Sequence, residues 1–448
     1  MTSPSMFTPL GSEAAVLEFA AGPPYAPSSG PLITHTPYHR PLDATRLGQL
    51  SWSEPLAEDR LVSDEGLVAH RLLMNVYESD MLFLPSSGLV GQEEAFSSFY
   101  DQRRRQNAEL VRPLVESFAF DFLDRSVRIT GEWTIDALHA HITAAIDETI
   151  HADSDVLLAI DKSADRRRAA EMLLAQMALD GLTEATAMSQ NLGGAYGAEQ
   201  SELFKIFIDE FGYGVFDTKH STLFGELCRS IGMVADAHRY WFFYLPSWIA
   251  SNNYFYYVTR NRTAFFRYVG GMAYLEATFA PRFAAMTRVL RTIYGGTVDT
   301  RYCDEHAHID QHHGRMAVED LLLPMARKHG PLAIQDMVRG IEEVRLLGRI
   351  ADDDLLAQIR WQPALTHAPD PSPDRREVRT LGPATAFETS VAERDTLVSV
   401  VEGSVDLHWT ATGDPLRVHA GQAVLVPRGR LHGLRAERGA TVGLEPAA

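Results

Sequence analysis

Residues 301–314 read RYCDEHAHIDQHHG, with four histidines and three carboxylates. Histidines this dense on a helix are seldom mere packing. At 100° per residue, His306, Asp310 and His313 (i, i+4, i+7) fall within about 60° of one another and form one stripe. Two imidazoles and a carboxylate on one face suit iron. His308 and His312 share the opposite face and are the rival pair, the alternative being a solvated polar surface.

The surrounding chain has the same helical grammar. From about 62 to 360 apolar residues recur three and four apart, and strand-like alternation is scarce. Segments 164–180 (ADRRRAAEMLLAQMALD) and 335–349 (QDMVRGIEEVRLLGR) pair an apolar stripe with charged faces. Residues 1–60 are Pro- and Gly-rich and read as an extended arm. Prolines 363, 369, 371 and 373 mark a stiff linker over 362–376. Short β-type runs follow at 396–402, 404–410 and 421–427, punctuated by Gly and Pro as in a small barrel or sandwich. The division expected is an arm (1–60), an N-terminal helical, dimerising region (61–150), a helical catalytic domain (151–361), the linker (362–376) and a β domain (377–448).

Two further stretches complete a ligand inventory. Residues 209–220 (DEFGYGVFDTKH) carry Glu210, Asp217 and His220 among aromatic residues that suggest burial, with a kink expected at Gly212 and Gly214. Glu184 shares a helical face with Leu173, Met177 and Met188 if one helix runs through Gly181. A carboxylate on an apolar stripe is costly unless it is paired or bound to metal. Four carboxylates and three imidazoles fit two adjacent iron ions bridged by carboxylate, with positions open for O2. Zinc hydrolysis needs fewer ligands.

Composition bounds the partners. Lys and Arg number 41 against 59 Asp and Glu, a net charge of −18 over 448 residues. That balance disfavours nucleic acid, whose phosphates need a basic surface, and an anionic membrane. No run reaches the length of a transmembrane helix, the N-terminus lacks a signal-peptide pattern, and two cysteines suit a reducing cytoplasm. No flavin or nicotinamide fingerprint is present, so electrons must come from an external donor.

Two resemblances follow. Gly421-x5-Pro427-x-Gly429-x2-His432, with Val401-Glu402-Gly403 as a glycine turn, resembles the second motif of the cupin barrel. The His-x-His pair of a metal-binding cupin would fall near Val391 and Glu393, and no histidine lies between 375 and 405. The expectation is a cupin without metal, in a structural or dimerising role; a site rebuilt from His432 and Glu393 is the alternative. Glu184, Glu210, Asp217, His220 and His306-x3-Asp310-x2-His313, with the DEFGYG and KHSTLF phrases, resemble the heme-oxygenase-like diiron oxidases, in particular the N-nitrosourea-forming branch with a C-terminal cupin.

The resemblance implies a multidomain chain: an all-α heme-oxygenase-like bundle with an N-terminal helical region, then a small all-β cupin. It implies iron ligation by Glu184, Glu210, His220, His306, Asp310 and His313, and an additional carboxylate at Asp217, one methylene shorter than the usual Glu. Two Fe(II) ions, O2 as cosubstrate, a small guanidine, amine or amino-azole substrate and a homodimer also follow. In that branch the diiron domain hydroxylates guanidine nitrogens and an iron cupin rearranges the product. The missing cupin pair speaks against that second step. C–C cleavage or desaturation of amino or fatty acids is the alternative chemistry. A ferritin-like site at Glu148-x2-His151 and Glu305-x2-His308, and a non-catalytic scaffold, are weaker readings. The aromatic stretch 240–257 offers Tyr240, Trp241, Tyr244, Trp248, Asn252 and Asn253 as a candidate pocket wall.

Overall fold

A computed structural model describes residues 13–33, 36–368, 377–383 and 385–447. The expected linker lies mostly outside these described residues. The principal helices are α1 (Glu13–Ala20), α2 (Asp64–Glu78), α3 (Gln102–Phe120), α4 (Ile135–Ile150), α5 (Arg166–Gly181), α6 (Ala198–Glu210), α7 (His220–Ser230), α8 (Pro246–Arg260), α9 (Phe265–Tyr294), α10 (Arg301–Arg315) and α11 (Pro331–Arg360). Eight strands follow: β1 (Leu365–His367), β2 (Glu377–Leu381), β3 (Thr389–Val391), β4 (Thr396–His408), β5 (Leu416–His419), β6 (Gln422–Val426), β7 (Leu431–Arg435) and β8 (Ala440–Pro446).

The chain forms two compact units. One comprises residues 1–122, 238–253 and 360–448; the other comprises 123–237 and 254–359. The β region expected as a separate domain therefore groups with the N-terminal segment. That segment is not simply an extended arm. Between Gly11 and Gly22 the apolar-rich EAAVLEFA forms α1, and Tyr25, Tyr38 and Trp52 are buried.

In the first unit the hydroxyl of Ser63 accepts from the Gly66 amide and caps α2, whose first turn carries Asp64 and Glu65, favourable at the positive end of a helix. Every residue from Gly66 to Glu78 is buried. Among them Arg71 donates to the Phe242 carbonyl at 2.9 Å and to the Thr389 hydroxyl at 2.8 Å. The free edge of β3 is closed by side chains. Arg46 donates to the Thr389 carbonyl and Asp64 accepts from the Val391 amide. This protects an edge that would otherwise invite pairing with another chain.

The sheet is antiparallel throughout, and its longest strand organises it. The first half of β4 pairs with β6 and β8, and the second half with β5 and β7. A register shift at Val401 and a left-handed Gly403 (φ +80°) bend the strand between the two halves. A Cβ on Gly403 would lie 2.5 Å from the Gly439 carbonyl oxygen, so no side chain fits there. The expected glycine turn is thus a bulged corner inside one continuous strand, and 396–402 and 404–410 are not separate strands. Among the described residues β1, β2, β3 and β5 each pair with one neighbour, so the expected barrel is an eight-stranded sheet that does not close into a ring. Pro427 and Gly429 do end β6, and His432 lies on β7 opposite Ser390.

The second unit is helical. Its close crossings are set by missing side chains. A Cβ on Gly270 would lie 2.0 Å from the Met337 carbonyl oxygen, and one on Gly340 would lie 2.0 Å from that of Arg267. The backbones of α9 and α11 therefore touch. Gly314 brings α10 onto α9 in the same way, 2.7 Å from the Ala277 Cα. A π-helical turn, Met316–Leu322, follows α10 directly. Such turns collect near functional sites.

Candidate metal centre

Five segments deliver the site. The α10 stripe is buried as the spacing predicts: His306, Asp310 and His313 face inward, while His308 and His312 are exposed. Glu210 is the last residue of α6 and is buried. The expected kink follows it. Gly212, Tyr213 and Gly214 all have positive φ (+58°, +55° and +79°), and two short turns bring the chain to His220 at the start of α7. Glu184 arrives differently from the sequence expectation. Helix α5 stops at Gly181, whose missing Cβ admits the Phe224 ring, so Glu184 is presented from a turn before the left-handed Ala185.

These residues meet in two groups. Glu184, Glu210, His220 and His306 each offer a ligand atom, all within 4.8 Å of one another. Glu210, Glu276, Asp310 and His313 do the same. Glu210 belongs to both. The His220 Nδ1 lies 2.6 Å from one Glu210 oxygen and the His313 Nδ1 lies 3.3 Å from the other. The second group contains a residue that the sequence reading missed. Glu276 lies on α9 in the apolar run GGMAYLEATF, and its signal was that of Glu184: one carboxylate on a buried face. Asp217 is not gathered with the others. It is exposed on the turn 216–218, because the tight reversal at 212–214 points that segment outward. The aromatic stretch 240–253 belongs to the first unit and is largely buried there as core.

Electrostatics shows what the arrangement lacks. Among the described residues no arginine or lysine forms an ion pair with Glu184, Glu210, Glu276 or Asp310. Burial opposes a charged His306, but Glu184, Glu210 and Asp310 outweigh it and lift the imidazole to about 10. Burial likewise opposes charge on His313, and hydrogen bonds to Asp310, Glu210 and Glu276 raise it strongly. Burial lifts the Glu276 carboxyl to about 7 against the pull of His313. Burial would raise Glu210 too, yet hydrogen bonds from His220 and His313 hold it well below the usual carboxylate range. Glu184 Oε2 is buried without a hydrogen-bond partner, and His220 Nδ1 and His313 Nδ1 face carboxylates of the two groups. Buried polar atoms of this kind are expensive unless something satisfies them. Carboxylate oxygens and imidazole nitrogens around two points, with one carboxylate common to both, fit a pair of iron ions.

The ferritin-like alternative gains no support. Glu148 pairs with Arg345 and is exposed, and His308 is exposed with Glu305. In the β region Val391 is buried, Glu393 is exposed, and burial lowers the His432 pKa. Among the described residues no helix is long and apolar enough to cross a membrane.

Comparison with known proteins agrees with this geometry. Residues 171–349 match the heme-oxygenase-like family described as iron-containing redox enzymes, a span holding every member of both groups. The chain is also 40% identical over 437 residues to the nitrosourea synthase of Streptomyces achromogenes subsp. streptozoticus, covering 94% of this chain and 92% of that protein. The chain belongs to the heme-oxygenase-like iron-containing redox enzymes, as an oxidoreductase related along nearly its whole length to nitrosourea synthase.

Proposed function

We propose that this protein is a non-heme diiron N-oxygenase that uses O2 to hydroxylate, or further oxidise, a nitrogen of a small guanidine, amine or amino-azole. The observation that carries the reading is the pair of four-residue groups sharing Glu210 with no arginine or lysine among them. Glu184, His220 and His306 would hold one iron, Glu276, Asp310 and His313 the other, and Glu210 would bridge them. When bound, the irons would supply O2 activation, with electrons from an external donor. The chain's own residues contribute the rest. The His306 Nδ1–H donates to the Tyr302 carbonyl at 2.8 Å, which leaves its Nε2 lone pair facing Glu184. Phe283 lies against the His306 ring at 4.4 Å, and Phe224 and Phe283 flank Tyr302, a wall that excludes water.

The relative is named for forming a nitrosourea. For this chain we place the product at an oxidised nitrogen, because Val391 and Glu393 stand where a cupin's histidine pair would be. A reducing cytoplasm, a homodimer and a separate reductant complete the proposal. The test is anaerobic loading with Fe(II), then O2 with a panel of small nitrogen compounds, read by mass spectrometry. A gain of one or more oxygens on nitrogen is expected. Carbon loss from an amino or fatty acid, with nitrogen untouched, would replace this reading by C–C cleavage.

A further inference from the structure

The His313 ring is strung between two sets of carboxylates. Its Nδ1 faces inward, 3.3 Å from Glu210, 3.3 Å from Glu276 and 3.5 Å from Asp310. Its Nε2 faces the other way, 3.1 Å from Asp209 Oδ2. An imidazole offers one lone pair, and the hydrogen bond at the outer nitrogen decides which nitrogen keeps it. Asp209 is not a member of either four-residue group. It precedes Glu210 on the last turn of α6, so Glu210 points into the site while Asp209 reaches the outer edge of the same histidine.

Asp209 has a second neighbour. The Asp209 carboxylate raises the pKa of the Tyr213 hydroxyl. Tyr213 is left-handed (φ +55°, ψ +28°), a strained conformation for a non-glycine residue, and its neighbours Gly212 and Gly214 are left-handed too. The residue is 70% exposed, so packing does not account for the strain. The reversal keeps the phenol within electrostatic reach of Asp209 at the end of α6.

We propose that Asp209, with Tyr213 beside it, is the positioning residue that holds the proton of His313 on Nε2 and presents its Nδ1 to the iron nearer Asp310 and Glu276. This inference rests on the diiron reading. It also makes the two iron positions unequal. The outer nitrogen of His306 is held by a neutral carbonyl, whereas that of His313 is held by a carboxylate, which makes His313 the stronger donor.

The test uses the full chain and Fe(II) alone. Wild type, Asp209→Asn, Asp209→Ala and Tyr213→Phe are titrated anaerobically, and the diferrous proteins are compared by Mössbauer spectroscopy. Wild type should take up two irons with two distinct signals. Asp209→Ala should weaken the second iron about 10- to 100-fold and alter one signal only. Asp209→Asn, whose amide oxygen still accepts from Nε2–H, should recover much of the binding but keep the altered signal. Tyr213→Phe, an exposed change that does not threaten folding, should weaken the same iron a few-fold. If Tyr213→Phe and Asp209→Asn both match wild type in affinity and spectrum, the positioning role is overturned and the diiron reading stands. If wild type takes up no iron, both fall together.

Discussion

The two units each bury a histidine–carboxylate cluster, and they balance its charge in opposite ways. In the first unit Glu78 pairs with Arg40, whose guanidinium lies 4.5 and 4.8 Å from the Phe83 and Phe99 rings, and His238 Nε2 lies 2.8 Å from Glu78. Burial outweighs Glu78 and holds His238 below its ordinary pKa, so one carboxylate meets one guanidinium beside a neutral imidazole. In the second unit four carboxylates surround three imidazoles without an arginine or lysine. The helical unit is not short of such partners: its fully buried Glu343 has Arg339 at 2.7 Å and the Tyr254 hydroxyl at 2.7 Å. On the diiron reading the difference separates a structural ion pair from an iron site. Where the fold needs a buried carboxylate only for itself, it supplies the countercharge.

The sharpest way to break this comparison is Glu210→Ala. Because Glu210 belongs to both groups, its loss should take iron stoichiometry from two per chain to near zero in an anaerobic titration. Glu78→Gln should leave the stoichiometry at two. Equal iron uptake by Glu210→Ala and wild type would remove the distinction. The same two positions also test stability. Glu78→Ala strands a fully buried guanidinium and should cost about 3–5 kcal/mol in denaturant unfolding. Glu210→Ala removes the partner of His220 and His313, whose pull holds its pKa low, and should also lower stability in the metal-free protein.

A third test adds iron. Fe(II) at about 100 times its Kd should stabilise the metal-free wild type by about 2.7 kcal/mol per iron bound, seen as a raised Tm under anaerobic conditions. Glu210→Ala should show no rise. A similar rise in that variant would point to adventitious surface binding, for which the exposed His308 and His312 are the candidates.

How far the sequence alone reached depends on range. The α10 stripe was legible because i, i+4, i+7 geometry is local, and His220 and Glu210 were legible because an aromatic setting implies burial. Glu184 was found for a partly mistaken reason, since the helix through it ends at Gly181 and a turn presents the side chain. Glu276 was missed because its role is fixed by Gly314 letting α10 close on α9, a contact between segments about 40 residues apart. Asp209 was hidden by its neighbour: only the fold shows which of two adjacent carboxylates points inward. The strands at 396–402 and 421–427 were legible by their β-branched residues. That β4 runs unbroken through Gly403 was not, because a bulge and a turn share the same glycine signal.

The smallest effect tests the first unit through its neutral histidines. His70 is fully buried on α2. Its carbonyl accepts from the Asn253 amide at 2.9 Å, and Phe120 packs edge-on at 5.4 Å. Burial alone pushes its pKa from 6.5 down to about 3, opposite to the lift that carboxylates give His306. Between those two values the unfolded chain binds a proton that the folded chain refuses. Stability should therefore be complete above about pH 6.5 and fall as the pH drops towards 3. From pH 6.5 to 5 the His70 contribution is about 2 kcal/mol. His238, also lowered by burial, adds to the slope in the same direction. His70→Gln cannot take up that proton, so chemical denaturation across this range should show a shallower decline than wild type. An unchanged slope would mean that His70 titrates as it does in the unfolded chain, and that burial in the first unit is not what keeps it neutral.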